Sequence, residues 1–213
     1  ITTLIGLTDD KKNINPYARL FLMACAIVVT LVLTNLHIFY FANPFNGTTI
    51  RLDAFSIPLT FNNLKFTFLP LADIFTTLWI LWFMNMLSWS NAVDGQFSGM
   101  VAITCVITSI LALRLLKIDP EQIYVAKLAA IAAGASLGIL PYNWHPSKIM
   151  WGFGATTMGL LIPILSIMAG TKVAVATLVL IVPVLDALIT ILRRILQKKS
   201  PVWGDRGHLH HRL

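Results

Sequence analysis

A chain of 213 residues with 57% hydrophobic and only 12% charged residues is too apolar for a water-soluble domain, where about a quarter carry charge. Its two cysteines, Cys25 and Cys105, lie in apolar runs and suggest neither a disulfide framework nor a thiolate metal site. The net charge of +7 reads as membrane topology rather than nucleic-acid affinity.

The chain opens on Ile1-Thr2-Thr3-Leu4-Ile5-Gly6-Leu7, with no initiator Met. This stub reads as the tail of a helix, so N-terminal spans are expected to be missing. Asp9-Asp10 come next, after the helix end and ahead of Lys11-Lys12. Adjacent carboxylates at a membrane surface are costly unless solvated or bound to a cation, and hard oxygen ligands of this kind suit Mg²⁺ or Mn²⁺. The plainer alternative is a solvated loop of mixed charge.

Six stretches approach or reach the roughly 20 apolar residues that cross a bilayer. They are 17–40, 69–87, 97–116, 123–140, 154–168 and 173–196. The fifth is short and glycine-rich, as expected of a span packed by small residues. Residues 41–68, rich in Asn, Thr and Pro, predict a short β-hairpin over the membrane surface. The fold class expected is therefore an all-α polytopic membrane protein, six transmembrane helices with a small extracytoplasmic β-hairpin, forming a single membrane domain. Six spans put both termini on one side, with ten Lys and Arg residues against six on the other, so the termini are expected in the cytoplasm.

That topology gathers polar chemistry on one face. Asn85, Ser88 and Asn91 are spaced three apart and would share a face of a continuing helix, with Asp94-Gly95 making the turn. Mutual hydrogen bonding between helices is the competing reading. His145-Pro146-Ser147-Lys148 forms a short loop flanked by Trp144 and Trp151. Gly152-Phe153-Gly154-Ala155-Thr156-Thr157 then opens a helix whose N–H groups could approach a phosphate, although close helix packing explains the small residues better. Asp186, inside the sixth span, reads as a structural or supporting residue. The chain ends Asp205-Arg206-Gly207-His208-Leu209-His210-His211-Arg212-Leu213. Three histidines, two arginines and a carboxylate there fit a phosphate or pyrophosphate ligand, because arginine offers a planar fork of donors and histidine donates, accepts or carries charge near neutral pH. A solvated basic tail is the bland alternative.

Four motifs in order carry a family resemblance: Gly6-Leu7-Thr8-Asp9-Asp10-Lys11, Asn85 to Asp94-Gly95, His145-Pro146-Ser147-Lys148-Ile149, and the Asp205 to Leu213 ending. The chain resembles the polyprenyl-phosphate N-acetylhexosamine-1-phosphate transferases, looking closer to the branch that uses a UDP-N-acetylhexosamine than to the UDP-muramoyl-pentapeptide branch. The resemblance implies a multi-pass enzyme of a prokaryotic cytoplasmic membrane, active on the cytoplasmic face. Its substrates would be a UDP-N-acetylhexosamine and a polyprenyl phosphate, with Mg²⁺ or Mn²⁺ as cofactor. It implies catalytic and metal roles for Asp9, Asp10 and Asp94, and substrate binding by Asn85, Asn91, His145, Lys148, Asp205, Arg206, His208, His210 and His211. A homodimer is compatible with it.

Two carboxylates of the family pattern are absent. Aligned from Asn85 to Gly95, the pattern puts Ser88 at an Asn and Asn91 at an Asp; in the Lys-Ile-Phe-Met-Gly-Asp segment, Phe153 stands at the metal-site Asp. Two alternatives follow: a catalytically inert relative that binds polyprenyl phosphate, or a membrane transporter. The latter predicts paired charges at mid-bilayer and an inverted repeat, and the sequence shows only Asp186 and no repeat.

Overall fold

The computed structural model describes residues 1–12, 14–42, 48–61, 64–91, 93–169 and 181–198, with the backbone alone at 41–42, 59–61, 64–65, 181–183 and 186. Helix α1 (Thr2–Lys12) leads into α2 (Pro16–Thr34). Asn15 starts α2 by accepting the Tyr17 N–H at 3.0 Å, and Pro16 occupies the first turn, where its missing N–H costs nothing. The helix stops at Asn35, which takes a left-handed conformation (φ 52°) and donates its N–H to the Leu31 carbonyl. The first span therefore ends well before residue 40, because the polar Asn35 and His37 terminate the apolar run.

Strands β1 (Tyr40–Ala42) and β2 (Thr49–Arg51) pair antiparallel, as do β3 (Ile57–Phe61) and β4 (Leu64–Phe68). The segment expected to form one hairpin thus forms two, with Tyr40 opposite Arg51 and Ile57 opposite Phe68. The sequence of this segment holds two sets of turn-favouring residues, Asn43-Pro44-Phe45-Asn46-Gly47 and Asn62-Asn63, where a single hairpin would need one. Pro58 is tolerated in β3 because a two-stranded sheet leaves one edge unpaired.

Four long helices follow: α3 (Pro70–Ser90), α4 (Gln96–Leu115), α5 (Gln122–Asn143) and α6 (Phe153–Met168); α7 (Ile181–Leu196) is the last described. Among the described residues α2, α3, α4 and α5 are long and apolar enough to cross a membrane, whereas α6 is apolar but has 16 residues. At 1.5 Å per residue, a helix of about 20 residues covers the roughly 30 Å hydrocarbon core. Their outward faces are apolar and open, with Phe21 66%, Leu33 63% and Ile131 68% exposed, a surface suited to lipid. The protein is a multi-pass membrane protein.

Helix α4 packs along α5, and α6 packs against both α3 and α1. Lipid tails are as apolar as these side chains, so association depends on close van der Waals contact. Gly159 of α6 shows how close: a Cβ there would lie 2.8 Å from the Met84 Cα of α3. A Cβ at Gly6 of α1 would likewise lie 2.7 to 3.0 Å from Thr156 and Phe153 of α6. These contacts fix the helix ends that carry the polar residues.

Candidate functional site

Asp9 and Asp10 lie inside the last turn of α1, not beyond it. Carboxylates at a helix C-terminus oppose the macrodipole, so each needs a positive partner. Neighbouring helical residues point about 100° apart, and the two carboxylates accordingly find different ones. Asp9 Oδ2 receives a hydrogen bond from Arg19 Nη1 of α2 at 3.0 Å, and Oδ1 accepts the Ile14 N–H at 3.1 Å. Asp9 thereby braces the α1–α2 elbow. Asp10 Oδ2 accepts the Phe153 N–H at 2.8 Å, at the first residue of α6. The positive end of the α6 dipole faces that carboxylate. Gly152 makes the approach feasible: it has φ +48°, and a Cβ there would lie 2.6 Å from Asp10 Oδ2.

Asp94 joins the α3–α4 turn to the loop after α5. Its Oδ2 lies 2.9 Å from His145 Nδ1 and accepts the Ser147 N–H at 3.2 Å. Ser147's side chain, then the His145 ring, then the Ser147 N–H hold the Asp94 carboxyl below the usual carboxylate value. Lys148 is exposed, and its N–H is donated to the Tyr142 carbonyl.

Under this surface runs a buried hydrogen-bonded layer. Asn143, the last residue of α5, is fully buried. Its Oδ1 accepts the Gly95 N–H at 3.2 Å and the Ser98 hydroxyl at 2.9 Å, and its Nδ2 donates to the Ile149 carbonyl at 2.9 Å. Ser98 Oγ accepts from Trp151 Nε1 at 2.7 Å, and the Ser98 carbonyl accepts the Ser136 hydroxyl at 2.7 Å. Asp10 and Asp94, distant in sequence, are thus linked to one end of the helix array, through the Gly152–Phe153 start of α6 on one side and the loop after α5 on the other. The sequence reading assigned no site role to Arg19, Ser98 or Asn143, and marked Trp151 only as flanking the loop. Asn143 left one signal, a lone amide closing an apolar helix.

Asn85 does not reach across to other polar groups of its face; its Nδ2 donates to the Leu81 carbonyl of its own helix. Asn91 caps the end of α3, and its Oδ1 is buried without a hydrogen-bond partner among the described residues. Asp205, Arg206, His208, His210 and His211 lie outside the described residues, as does the side chain of Asp186.

No group of three His, Cys, Asp or Glu residues among those described could hold a metal ion, so Asp9, Asp10 and Asp94 do not form a three-carboxylate cage. The physical reason is that Arg19, the α6 N-terminus and His145 each claim one carboxylate. The bonds to Asp10 and Asp94 engage Oδ2 of each, which leaves Oδ1 available among the described residues. A carboxylate with one oxygen open would suit Mg²⁺ only in its common mode, one or two carboxylate oxygens with water and phosphate oxygens completing the octahedron.

The chain is similar to several curated proteins. A Bacillus subtilis protein named "Probable undecaprenyl-phosphate N-acetylglucosaminyl 1-phosphate transferase" is 28% identical over 220 residues, covering all of this chain and 55% of the relative. A decaprenyl-phosphate N-acetylglucosaminephosphotransferase of Mycolicibacterium smegmatis is 31% identical over 151 residues, 61% of this chain and 37% of its own length. A phospho-N-acetylmuramoyl-pentapeptide-transferase of Streptococcus sanguinis is 26% identical over 173 residues, 77% of this chain and 46% of the relative. The chain spans about half the length of the curated relatives it matches. The sequence profile of glycosyl transferase family 4 matches residues 1–170, from the Asp9-Asp10 helix through the Asp94 and His145 loops to the end of α6, and the chain belongs to that family.

Proposed function

We propose that the whole protein transfers N-acetylhexosamine 1-phosphate from a UDP-sugar to a polyprenyl phosphate and releases UMP. The reaction would take place at the cytoplasmic face of a prokaryotic inner membrane. The observation that supports this best is the set of contacts linking Asp10, the α6 N-terminus and the Asp94–His145 pair to one end of the helices, in a family whose relatives are named for such transfers.

The chemistry asks little of a general base. A phosphate monoester has its second pKa near 6 and is largely dianionic at pH 7. An oxygen of the lipid phosphate attacks the β-phosphorus of the UDP-sugar. The bond from that phosphorus to the bridging oxygen breaks, and UMP leaves with the electron pair. Positioning and charge neutralisation then dominate the barrier. His145, Lys148 and the Arg206 to His211 tail supply donors and positive charge for the pyrophosphate. A Mg²⁺ or Mn²⁺ bound by Asp10 and Asp94 together with phosphate oxygens would neutralise the charge that develops on them. Asp9, ion-paired to Arg19, keeps the elbow in place.

A second reading has its own observation. Phe153 and Asn91 stand where the family pattern carries carboxylates, which favours an inert relative that binds polyprenyl phosphate. One experiment separates the two: transfer from radiolabelled UDP-N-acetylhexosamines to polyprenyl phosphate by the full-length protein, with and without Mg²⁺. Label entering the lipid phase only with the cation supports the enzyme. Binding of the lipid with no transfer of any sugar supports the inert relative.

A further inference from the structure

We propose that Asn143 is a positioning residue, one that touches no ligand but sets Asp94 against His145 and Ser147; the claim about its effect on turnover rests on the transferase reading above. Asn143 has none of its surface exposed, so no substrate reaches it. Its amide cannot be reversed. The Gly95 N–H is an obligate donor facing Oδ1, and the Ile149 carbonyl is an obligate acceptor facing Nδ2.

Those two partners are what make the residue consequential. Gly95 follows Asp94 directly, so holding its N–H fixes the backbone that aims the Asp94 carboxylate. Ile149 lies two residues after Ser147, whose N–H donates to that carboxylate, and His145 lies two residues after Asn143 itself. One side chain therefore sets the register between the two loops that the Asp94 bonds join. Gly95 reinforces the arrangement with φ +73° and a Cβ position 3.1 Å from the Trp144 ring, so no larger residue takes its place without moving that loop. Ser98 completes the support by donating to Asn143 while accepting from Trp151. A fully satisfied buried network of this kind has a single arrangement, and losing one member leaves the others unpaired.

The test uses full-length protein in detergent and reads the Ser147 amide, which bonds Asp94 and not Asn143. In Asn143→Ala the Ser147 N–H should exchange with deuterium at least about tenfold faster, the order expected when a hydrogen bond of typical strength is lost. Ser98→Ala, which removes one hydroxyl and leaves the Gly95 bond, should give a smaller acceleration and guards against a variant that fails to fold. In the transfer assay Asn143→Ala should lower kcat per mole of folded protein about tenfold, with KM for the UDP-sugar within about threefold, as for a contact made mainly in the transition state. Asn143→Ala/His145→Ala should be no worse than the poorer single variant, as for residues acting as a unit. Unchanged Ser147 exchange in both variants would overturn the proposal. So would a kcat equal to wild type once normalised to the folded fraction measured by size-exclusion chromatography in detergent. If wild-type protein transfers nothing, the transferase reading fails, while the exchange measurement still decides the role of Asn143.

Discussion

Asp10 Oδ2 accepts the Phe153 N–H at 2.8 Å, so a carboxylate at the end of one helix caps the beginning of another. The charge that opposes the dipole of α1 lies at the favourable end of α6. This pairing predicts a separation of structure from chemistry. Asp10→Asn keeps an oxygen able to accept the Phe153 N–H, so the melting temperature should stay within a few degrees of wild type. Transfer should fall about a hundredfold, the loss typical of removing one charge-stabilising group. Wild-type turnover in Asp10→Asn would remove this carboxylate from the chemistry.

Gly152 provides an independent probe of the same junction. An alanine there must adopt φ +48° and place its Cβ 2.6 Å from the Asp10 carboxylate oxygen. Gly152→Ala should destabilise the protein by about 1–3 kcal/mol, the usual magnitude for strained backbone at a non-glycine residue. Thermal unfolding in detergent measures it. No loss would mean that the close approach of α1 to α6 is readily relaxed.

Acid should weaken the Asp94 contacts in a predictable direction. The folded-state pKa is lowered, by the Ser147 side chain first and then by His145. The carboxylate therefore contributes stability above its unfolded pKa of about 3.9 and loses it as the pH falls through the lower folded value. The gap in melting temperature between wild type and Asp94→Asn should persist from neutral pH to about 5 and close as the pH falls below about 4. A gap undiminished below about pH 3 would contradict this assignment.

At the opposite end of the helices, His37 Nδ1 lies 2.7 Å from Asp73 Oδ1, and both residues are buried. Asp73 Oδ2 also accepts the Leu69 N–H at 2.8 Å, and the Asn35 side chain lies 3.2 Å from His37 Nε2. His37→Ala leaves a buried carboxylate without its ring partner and should cost about 3 kcal/mol. The kinetics of whatever protein remains folded should not change. A large rise in KM for the UDP-sugar would show that this end communicates with the other.

The histidine-rich ending makes a prediction from sequence chemistry alone. If Arg206 and His210 bind the pyrophosphate, Arg206→Ala and His210→Ala should each lower transfer about a hundredfold at both low and moderate salt. A basic tail held only by an anionic surface would lose roughly 1 kcal/mol per charge, and salt would mimic the loss.

Membrane residence and four of the expected spans were legible in the sequence because apolar runs of bilayer length have few other uses, whereas the end of the first helix at Asn35 was not read from it. Asp94 and His145 could be singled out as residue types at loop positions. Their partnership could not, because a hydrogen bond between residues 51 apart depends on where helix packing puts two loops. The roles of Asp9 and Asp10 show the limit clearly. Adjacent in sequence and identical in chemistry, they diverge because a helix turns about 100° per residue, sending one to Arg19 and the other to the start of α6. Asn143 left only its place as a lone amide closing an apolar helix; its partners, 48 residues before it and 6 after, could not be read locally. Composition and local preference determined which segments are helices and where polar chemistry could lie; the close approach of small residues between α1, α3 and α6 decided which of those polar groups meet.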